Sequence, residues 1–172
     1  MAAVPLAAPW TVLDHVGLTV PDLDAATAFF CAAFGASVEA DLVDEPLGGS
    51  EIETALGLPA GATVLRVRML ALPGGAGIEL FEFGTVDQAA PVRLSDLGIQ
   101  HLAVRVDDID RAIERALAAG AAALAAPAPV PGTTTGAVWV YCRLPWGGLL
   151  ELVHDPGRPR PSSGQHRGEI RQ

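Results

Sequence analysis

The chain has 172 residues, a length that suits one compact domain or two small modules that share a core. Half of the residues are hydrophobic and only 18% are charged, which argues against wholesale disorder. The formal net charge is -9, and an acidic chain without a basic stripe is a poor partner for nucleic acid.

The first ten residues contain two prolines and no cationic segment, so they do not resemble a secretory signal peptide. No uninterrupted apolar stretch has the length of a transmembrane helix. Cys31 and Cys142 lie far apart and show no metal-ligand spacing, so we expect reduced thiols, with a single disulfide as the alternative. These features predict a cytoplasmic protein without a membrane partner.

The chain contains an internal repeat. Residues 13–30 align with residues 99–116 at an offset of 86 positions, which places His15 opposite His101. Each copy reads as a strand, an acidic turn and an amphipathic helix. Asp22 and Asp108 are the predicted helix N-caps. The helical apolar positions are Leu23, Ala26, Phe30 and Phe34 in the first copy and Ile109, Ile113 and Leu117 in the second, and Gly35 and Gly120 lie where the helices should end.

A second match closes each half of the chain. GIELFEF at 77–83 resembles LLELVHD at 149–155 at an offset of 72, which aligns Glu79 with Glu151. The first half is therefore longer, and we assign the surplus to a loop with one short helix at 44–62. Alternation and turn residues predict further strands at 63–72 and 137–144. Each half is thus predicted as strand–helix–strand–strand–strand.

Two histidines and two glutamates occupy matching positions in these halves: His15, Glu79, His101 and Glu151. A single histidine or glutamate on a strand usually has no special role, but a carboxylate among apolar neighbours needs a cationic partner. If both halves turn these faces inward, the four side chains converge on one divalent cation, for which Ni, Co, Zn, Mn and Fe remain open. The alternative is that duplication preserved the four residues without any metal.

Five other residues near these positions are weaker candidates. Glu82 and His154 follow the two glutamates by three residues and point to the opposite face, so we predict helix-side or strand-end roles for them. Asp14 lies on the wrong face to be a ligand. Trp139 and Tyr141 share one strand face, where they either line a pocket or pack in a core or an interface.

The repeat divides the chain into a first module at 11–90, a second module at 97–156 and a disordered tail at 157–172. The tail is rich in Pro, Gly, Ser, Arg and Gln and has no apolar periodicity.

The motifs HVGLTVPDLDAATAFF, GIELFEF, HLAVRVDDIDRAI and PWGGLLELVHDP together resemble the vicinal oxygen chelate superfamily, which includes glyoxalases, bleomycin-resistance proteins and dioxygenases. The resemblance implies an α+β fold in which two βαβββ modules form an open, cupped, mixed β-sheet barrel with helices outside, often in a homodimer. It implies metal ligands at the first and closing strand of each module, which here are His15, Glu79, His101 and Glu151.

Within the superfamily, residues 69–104 and the PWGGLLELV segment resemble epimerases of keto-cyclitol or sugar-like compounds. The resemblance implies a metal-dependent epimerase or isomerase that removes a proton next to a carbonyl group of a small substrate. Glu151 is the preferred base, Glu79 is its symmetry mate, and Glu51 or Glu53 is a further candidate carboxylate. A glyoxalase-type lyase, a metal-free small-molecule binding or resistance protein, and an Fe(II) dioxygenase are the alternatives.

Overall fold

Each half of the sequence forms its own mixed sheet with a helix packed on one face. The computed structural model describes residues 13–158. The first half contains β1 (His15–Thr19), α1 (Leu23–Phe34), β2 (Ser37–Val43), β3 (Leu47–Gly48), α2 (Ser50–Leu56), β4 (Thr63–Ala71) and β5 (Gly77–Gly84). The second half contains β6 (His101–Arg105), α3 (Ile109–Ala118), β7 (Ala122–Ala123), β8 (Ala128–Pro129), β9 (Val138–Arg143) and β10 (Leu149–His154).

The two sheets have the same strand order. The first runs β1-β5-β4-β2, with β3 also paired to β4, and the second runs β6-β10-β9-β7, with β8 also paired to β9. In each sheet the first and last strands of the half are parallel neighbours, whereas the other pairs are antiparallel. The α+β class and the two mixed-sheet modules are confirmed, and the described strands do not close into a barrel.

The helices begin where the sequence predicts. Asp22 and Asp108 have extended backbones, and each accepts a hydrogen bond from a backbone N–H three residues later. Helix α1 ends at Gly35, whose positive φ of 69° suits glycine. Helix α3 ends one residue earlier than expected, because Ala119 is its C-cap and Gly120 adopts the positive φ.

One hydrophobic core joins the two halves. Helix α1 packs on α3, and the Arg115 guanidinium donates hydrogen bonds to the Ala32 carbonyl oxygen at 2.8 and 3.2 Å. The Trp146 ring lies in the turn between β9 and β10. It packs edge-on against Phe29, with 5.6 Å between ring centroids, and tilted against Phe30, with 5.9 Å between ring centroids. Burial of these aromatic side chains holds the helices against one face of each sheet. The opposite face of each sheet is not covered by a helix within residues 13–158.

The remaining sequence predictions have clear outcomes. The 44–62 insertion carries the expected short helix, α2, and Cys31 and Cys142 are free thiols. Among residues 13–158, no helix is both long and apolar enough to cross a membrane. The first ten residues, and residues 159–172 of the predicted tail, lie outside the described part of the chain.

Candidate functional site

His15 and Glu79 meet on the face of the first sheet that points away from α1. The parallel register pairs Gly17 with Glu79, so His15 lies one side-chain row away on the same face. His15 Nε2 and Glu79 Oε2 are 3.2 Å apart. The alternate residues Ile78 and Leu80 are buried in the core, which fixes the direction of Glu79.

The second sheet repeats this arrangement. Ala103 pairs with Glu151, and His101 lies one row away. His101 Nε2 and Glu151 Oε2 are again 3.2 Å apart, and the Glu79 and Glu151 side chains are both 19% exposed. The duplicated sequence therefore produces two nearly identical His–Glu pairs.

The first pair has a third member in Asp14. His15 Nδ1 lies 2.8 Å from Asp14 Oδ2, and because a carboxylate only accepts, Nδ1 carries the proton. A neutral His15 then presents the lone pair of Nε2 toward the carboxylate of Glu79. Two acceptors face each other, so the contact suits either an imidazolium ion or a cation bound by both groups. Asp14 orients the imidazole through this contact.

The described part of the chain does not bring the two pairs into one cluster. Among residues 13–158, no three histidine, cysteine or acidic side chains form a group that could hold a metal ion. The site with four ligands therefore stays a prediction.

The faces that carry the two pairs differ in chemistry. In the first sheet, Phe81 and Phe83 stack at 5.9 Å beside Glu79. In the second sheet, the Tyr141 ring packs edge-on against both His101 and Trp139 at 5.4 and 5.2 Å. Burial, and secondarily the charge of Glu151, raises the pKa of Tyr141, so its hydroxyl stays protonated and able to donate a hydrogen bond.

A groove of about 530 Å³ separates the edge strands β1 and β6. Residues 16–19 line it on one side, and 99–102, with His101, line it on the other. Only one of the four predicted ligands borders it. We therefore place the candidate site at the His–Glu pairs, where the titratable side chains lie, and not at the centre of the groove.

The weaker candidates have structural contacts. Glu82 lies on the helix side, where Oε2 accepts a hydrogen bond from the Leu23 N–H at 3.1 Å, and His154 Nδ1 lies 3.1 Å from the Val106 carbonyl oxygen. These contacts confirm the predicted helix-side or strand-end roles. Glu51 and Glu53 lie on α2, and Glu53 accepts a hydrogen bond from the Gly61 N–H.

Sequence reasoning did not single out Arg105. It ends β6 on the face of His101, and its NH1 atom is buried without a hydrogen-bond partner within residues 13–158. Strand alternation places His101, Ala103 and Arg105 on one face, and this pattern could have identified Arg105 from the sequence.

Comparisons with known proteins agree with this architecture. The sequence profile of the Glyoxalase/Bleomycin resistance protein/Dioxygenase superfamily matches residues 14–138. The chain belongs to this superfamily.

Individual members of the glyoxalase superfamily extend the comparison. The chain is 37% identical to a 2-epi-5-epi-valiolone epimerase from Actinomyces sp, and the match covers 91% of this chain and 93% of that protein. A glyoxalase family protein from Bacillus cereus has a similar structure, with a TM-score of 0.67 and 25% identity over 88% of this chain and all of that one. Glyoxalase I from Zea mays, at 21% identity and a TM-score of 0.58, shares the fold over 87% of this chain and 46% of its own length. The similarity to a named epimerase supports enzymatic activity of that class.

Proposed function

We propose that the protein is a metal-dependent epimerase that moves a proton next to a carbonyl group of a small keto-cyclitol or sugar-like substrate. The observation that carries the proposal is the repeated His–Glu pair, with 3.2 Å between Nε2 and Oε2 in both halves. The relative named as a 2-epi-5-epi-valiolone epimerase supports both the reaction class and the substrate class. The free thiols are consistent with action in the cytoplasm.

The donor set of the two pairs fits a divalent cation. His15 and His101 would supply nitrogen ligands, and Glu79 and Glu151 would supply oxygen ligands, a mixed set that suits Ni, Co, Zn, Mn or Fe(II). The orientation of His15 by Asp14 fits this role, because it fixes the tautomer whose Nε2 lone pair is available. When bound, the cation would act as a Lewis acid toward the carbonyl oxygen of the substrate.

The carboxylates would perform the proton transfer. Glu151 takes the proton from the carbon next to the carbonyl, and the electrons of the broken C–H bond form the C=C bond of an enediolate. A proton then returns to the opposite face of that carbon, which inverts its configuration and leaves the composition of the substrate unchanged. Glu79, the symmetry mate, would deliver this second proton from its protonated carboxyl group. A positioned general base contributes about 10²- to 10⁴-fold to the rate.

We further propose that two copies of the chain complete each site. One chain presents two separate pairs, and its described residues do not gather three ligands. In a twofold dimer, the His15–Glu79 pair of one protomer would face the His101–Glu151 pair of the other, and a closed dimer would contain two such sites. A homodimer would thus bring all four expected ligands together, although the two His–Glu pairs of one chain are separate.

Metal content and deuterium incorporation test the proposal together. The purified protein should retain a divalent metal, and in D2O it should exchange the proton next to the carbonyl of 2-epi-5-epi-valiolone or 2-keto-myo-inositol. Chelator should abolish the exchange, and added metal should restore it. Exchange that survives complete metal removal would refute metal dependence. Thiol-dependent consumption of methylglyoxal without such exchange would identify a lyase, and ligand binding without metal or exchange would identify a binding protein.

A further inference from the structure

The face of the second sheet that carries Glu151 also carries buried hydrogen-bond donors without acceptors. Val153 pairs with Arg105 on one side and with Trp139 on the other, so these three side chains form one row across β6, β10 and β9. Arg105 NH1 and Trp139 Nε1 are both buried, and neither has a hydrogen-bond partner within residues 13–158. A buried donor without an acceptor is costly, and native proteins rarely keep one without a reason.

The fold itself does not demand these donors. At the repeat offsets of 86 and 72, Arg105 corresponds to Thr19 and Val153 corresponds to Phe81. Phe81 pairs with Thr19 and with Val67, so the equivalent row of the first sheet has no guanidinium and no indole. The same strand pairing therefore forms with small or apolar residues, and the donors of the second sheet are an addition to one half only.

The row lies directly beside the proposed base. Glu151 pairs with Tyr141, one row from Trp139, and the Tyr141 and Trp139 rings are in edge-on contact. Arg105 and Trp139 belong to strands on either side of β10, so their Cα atoms are separated by about two strand spacings, roughly 10 Å. Hydroxyl groups at different positions of one ring span such a gap better than a single compact anion does.

We propose that Arg105 and Trp139 form a substrate subsite that donates hydrogen bonds to the hydroxyl oxygens of a polyhydroxylated ring held beside Glu151. The inference rests on the proposed function, because it takes Glu151 as the base. It goes further in naming the residues that would select a polyhydroxylated substrate over a simple α-hydroxy ketone. The two donors, which have no acceptor among the described residues, would gain one when the substrate binds.

Binding measurements with two ligands test the subsite. The probes are 2-keto-myo-inositol and 2-hydroxycyclohexanone, which share a ketone with a neighbouring hydroxyl but differ in the remaining hydroxyls. Ligand-observed NMR titrations of the Zn²⁺-loaded protein give both Kd values without requiring turnover. Wild type should bind the keto-inositol at least about tenfold more tightly, because several hydrogen bonds distinguish the two.

The variants are chosen to remove donors and little else. Trp139→Phe keeps an aromatic ring without the N–H, and Arg105→Met keeps a long apolar stem without the guanidinium. Each should weaken keto-inositol binding by about three- to tenfold and leave 2-hydroxycyclohexanone binding unchanged. Arg111→Met, which removes a positive charge from an exposed position of α3, should change neither affinity. Neither donor variant should lower the Tm, because Arg105 NH1 and Trp139 Nε1 have no hydrogen-bond partner to lose among residues 13–158.

Three results would overturn the subsite. Keto-inositol binding equal to wild type in both variants would refute it while leaving the metal-dependent epimerase intact. A lower Tm in both variants, with unchanged ligand preference, would show that Arg105 and Trp139 have a structural role. Tight binding of inorganic phosphate that Arg105→Met abolishes, with keto-inositol binding unaffected, would show an anion site. If the proposed function itself is wrong, the wild-type protein will contain no bound metal and will show no proton exchange. That result differs from each of the three results that would refute the subsite.

Discussion

His15 Nε2 lies 3.2 Å from Glu79 Oε2, although the parallel register of β1 and β5 places their backbones one side-chain row apart. His101 and Glu151 repeat the same relationship and the same distance on β6 and β10. The two halves therefore preserve a geometric unit, a histidine from the first strand beside a glutamate from the last. Such repetition is expected when both units contribute ligands to a common site.

Replacement of Glu151 by Gln tests the proposed base. The amide keeps the size of the side chain but cannot accept the proton. The rate of proton–deuterium exchange into the substrate should therefore fall by about 10²- to 10⁴-fold, while the Tm changes little. Glu82→Gln is the matched control, because Glu82 lies three residues after Glu79 on the helix side, where it accepts a hydrogen bond from the Leu23 N–H. This control should lower stability slightly and leave exchange intact. Full activity in Glu151→Gln would exclude the assigned role.

Subunit complementation tests whether two chains build each site. His15→Ala and His101→Ala should each be inactive alone as homodimers. After the two variants are mixed and allowed to exchange subunits, half of the dimers are mixed, and each mixed dimer contains one intact site. About one quarter of wild-type activity and metal content should return. If every site lay within one chain, mixing would restore nothing. His154→Gln, on the helix side, should keep metal and activity throughout.

The helix caps predict a measurable loss of stability. The Asp108 carboxylate accepts the Arg111 N–H at 3.0 Å, and Asp108→Ala leaves that donor without its acceptor. We expect the free energy of unfolding to fall by about 1 kcal/mol, measured by urea denaturation. Glu114→Ala, at an exposed position in the middle of the same helix, should be nearly neutral. Equal losses in the two variants would contradict the capping role.

An acid-sensitive ion pair network joins α1 to β4. Hydrogen bonds from Arg66 and then Arg68 lower the pKa of Asp24 below its ordinary value of 3.8. Because the folded-state pKa is the lower one, the carboxylate contributes stability that is fully present above 3.8 and is lost as the pH falls through the folded-state value. Asp24→Asn should therefore lower the Tm at pH 7, and the difference from wild type should shrink in strong acid.

The effect of Asp24 should be small, because the side chain is 66% exposed and solvent screens its charge. Asp110 is the matched control, since it occupies the equivalent position on α3 and has no ion pair within residues 13–158. Asp110→Asn should leave the Tm at pH 7 close to that of wild type. A Tm difference between Asp24→Asn and wild type that is constant from pH 7 to pH 3, measured by thermal scans, would contradict the assigned linkage.

Features encoded by local patterns could be predicted from the chain alone. The repeat, the helix caps at Asp22 and Asp108 and the short helix of the insertion are confirmed, because capping and periodicity depend on residues close in sequence. The second predicted strand of the second half, which follows its helix, has a weaker sequence signal. Its segment is rich in Ala and Pro without alternation, and it forms two strands of only two residues each, β7 and β8.

The sequence by itself determined which side chains share a sheet face, since strand alternation follows from the backbone and needs no partner. It therefore placed His15 and Glu79, and His101 and Glu151, as symmetric candidates. Only the tertiary structure determined which side chains lie next to each other on neighbouring strands. These neighbours depend on strand order and register, which local patterns do not specify. That register brings each histidine within 3.2 Å of its glutamate and sets Arg105 and Trp139 on either side of Val153. Contacts between residues far apart in sequence depend on packing of the whole core, which no local pattern encodes.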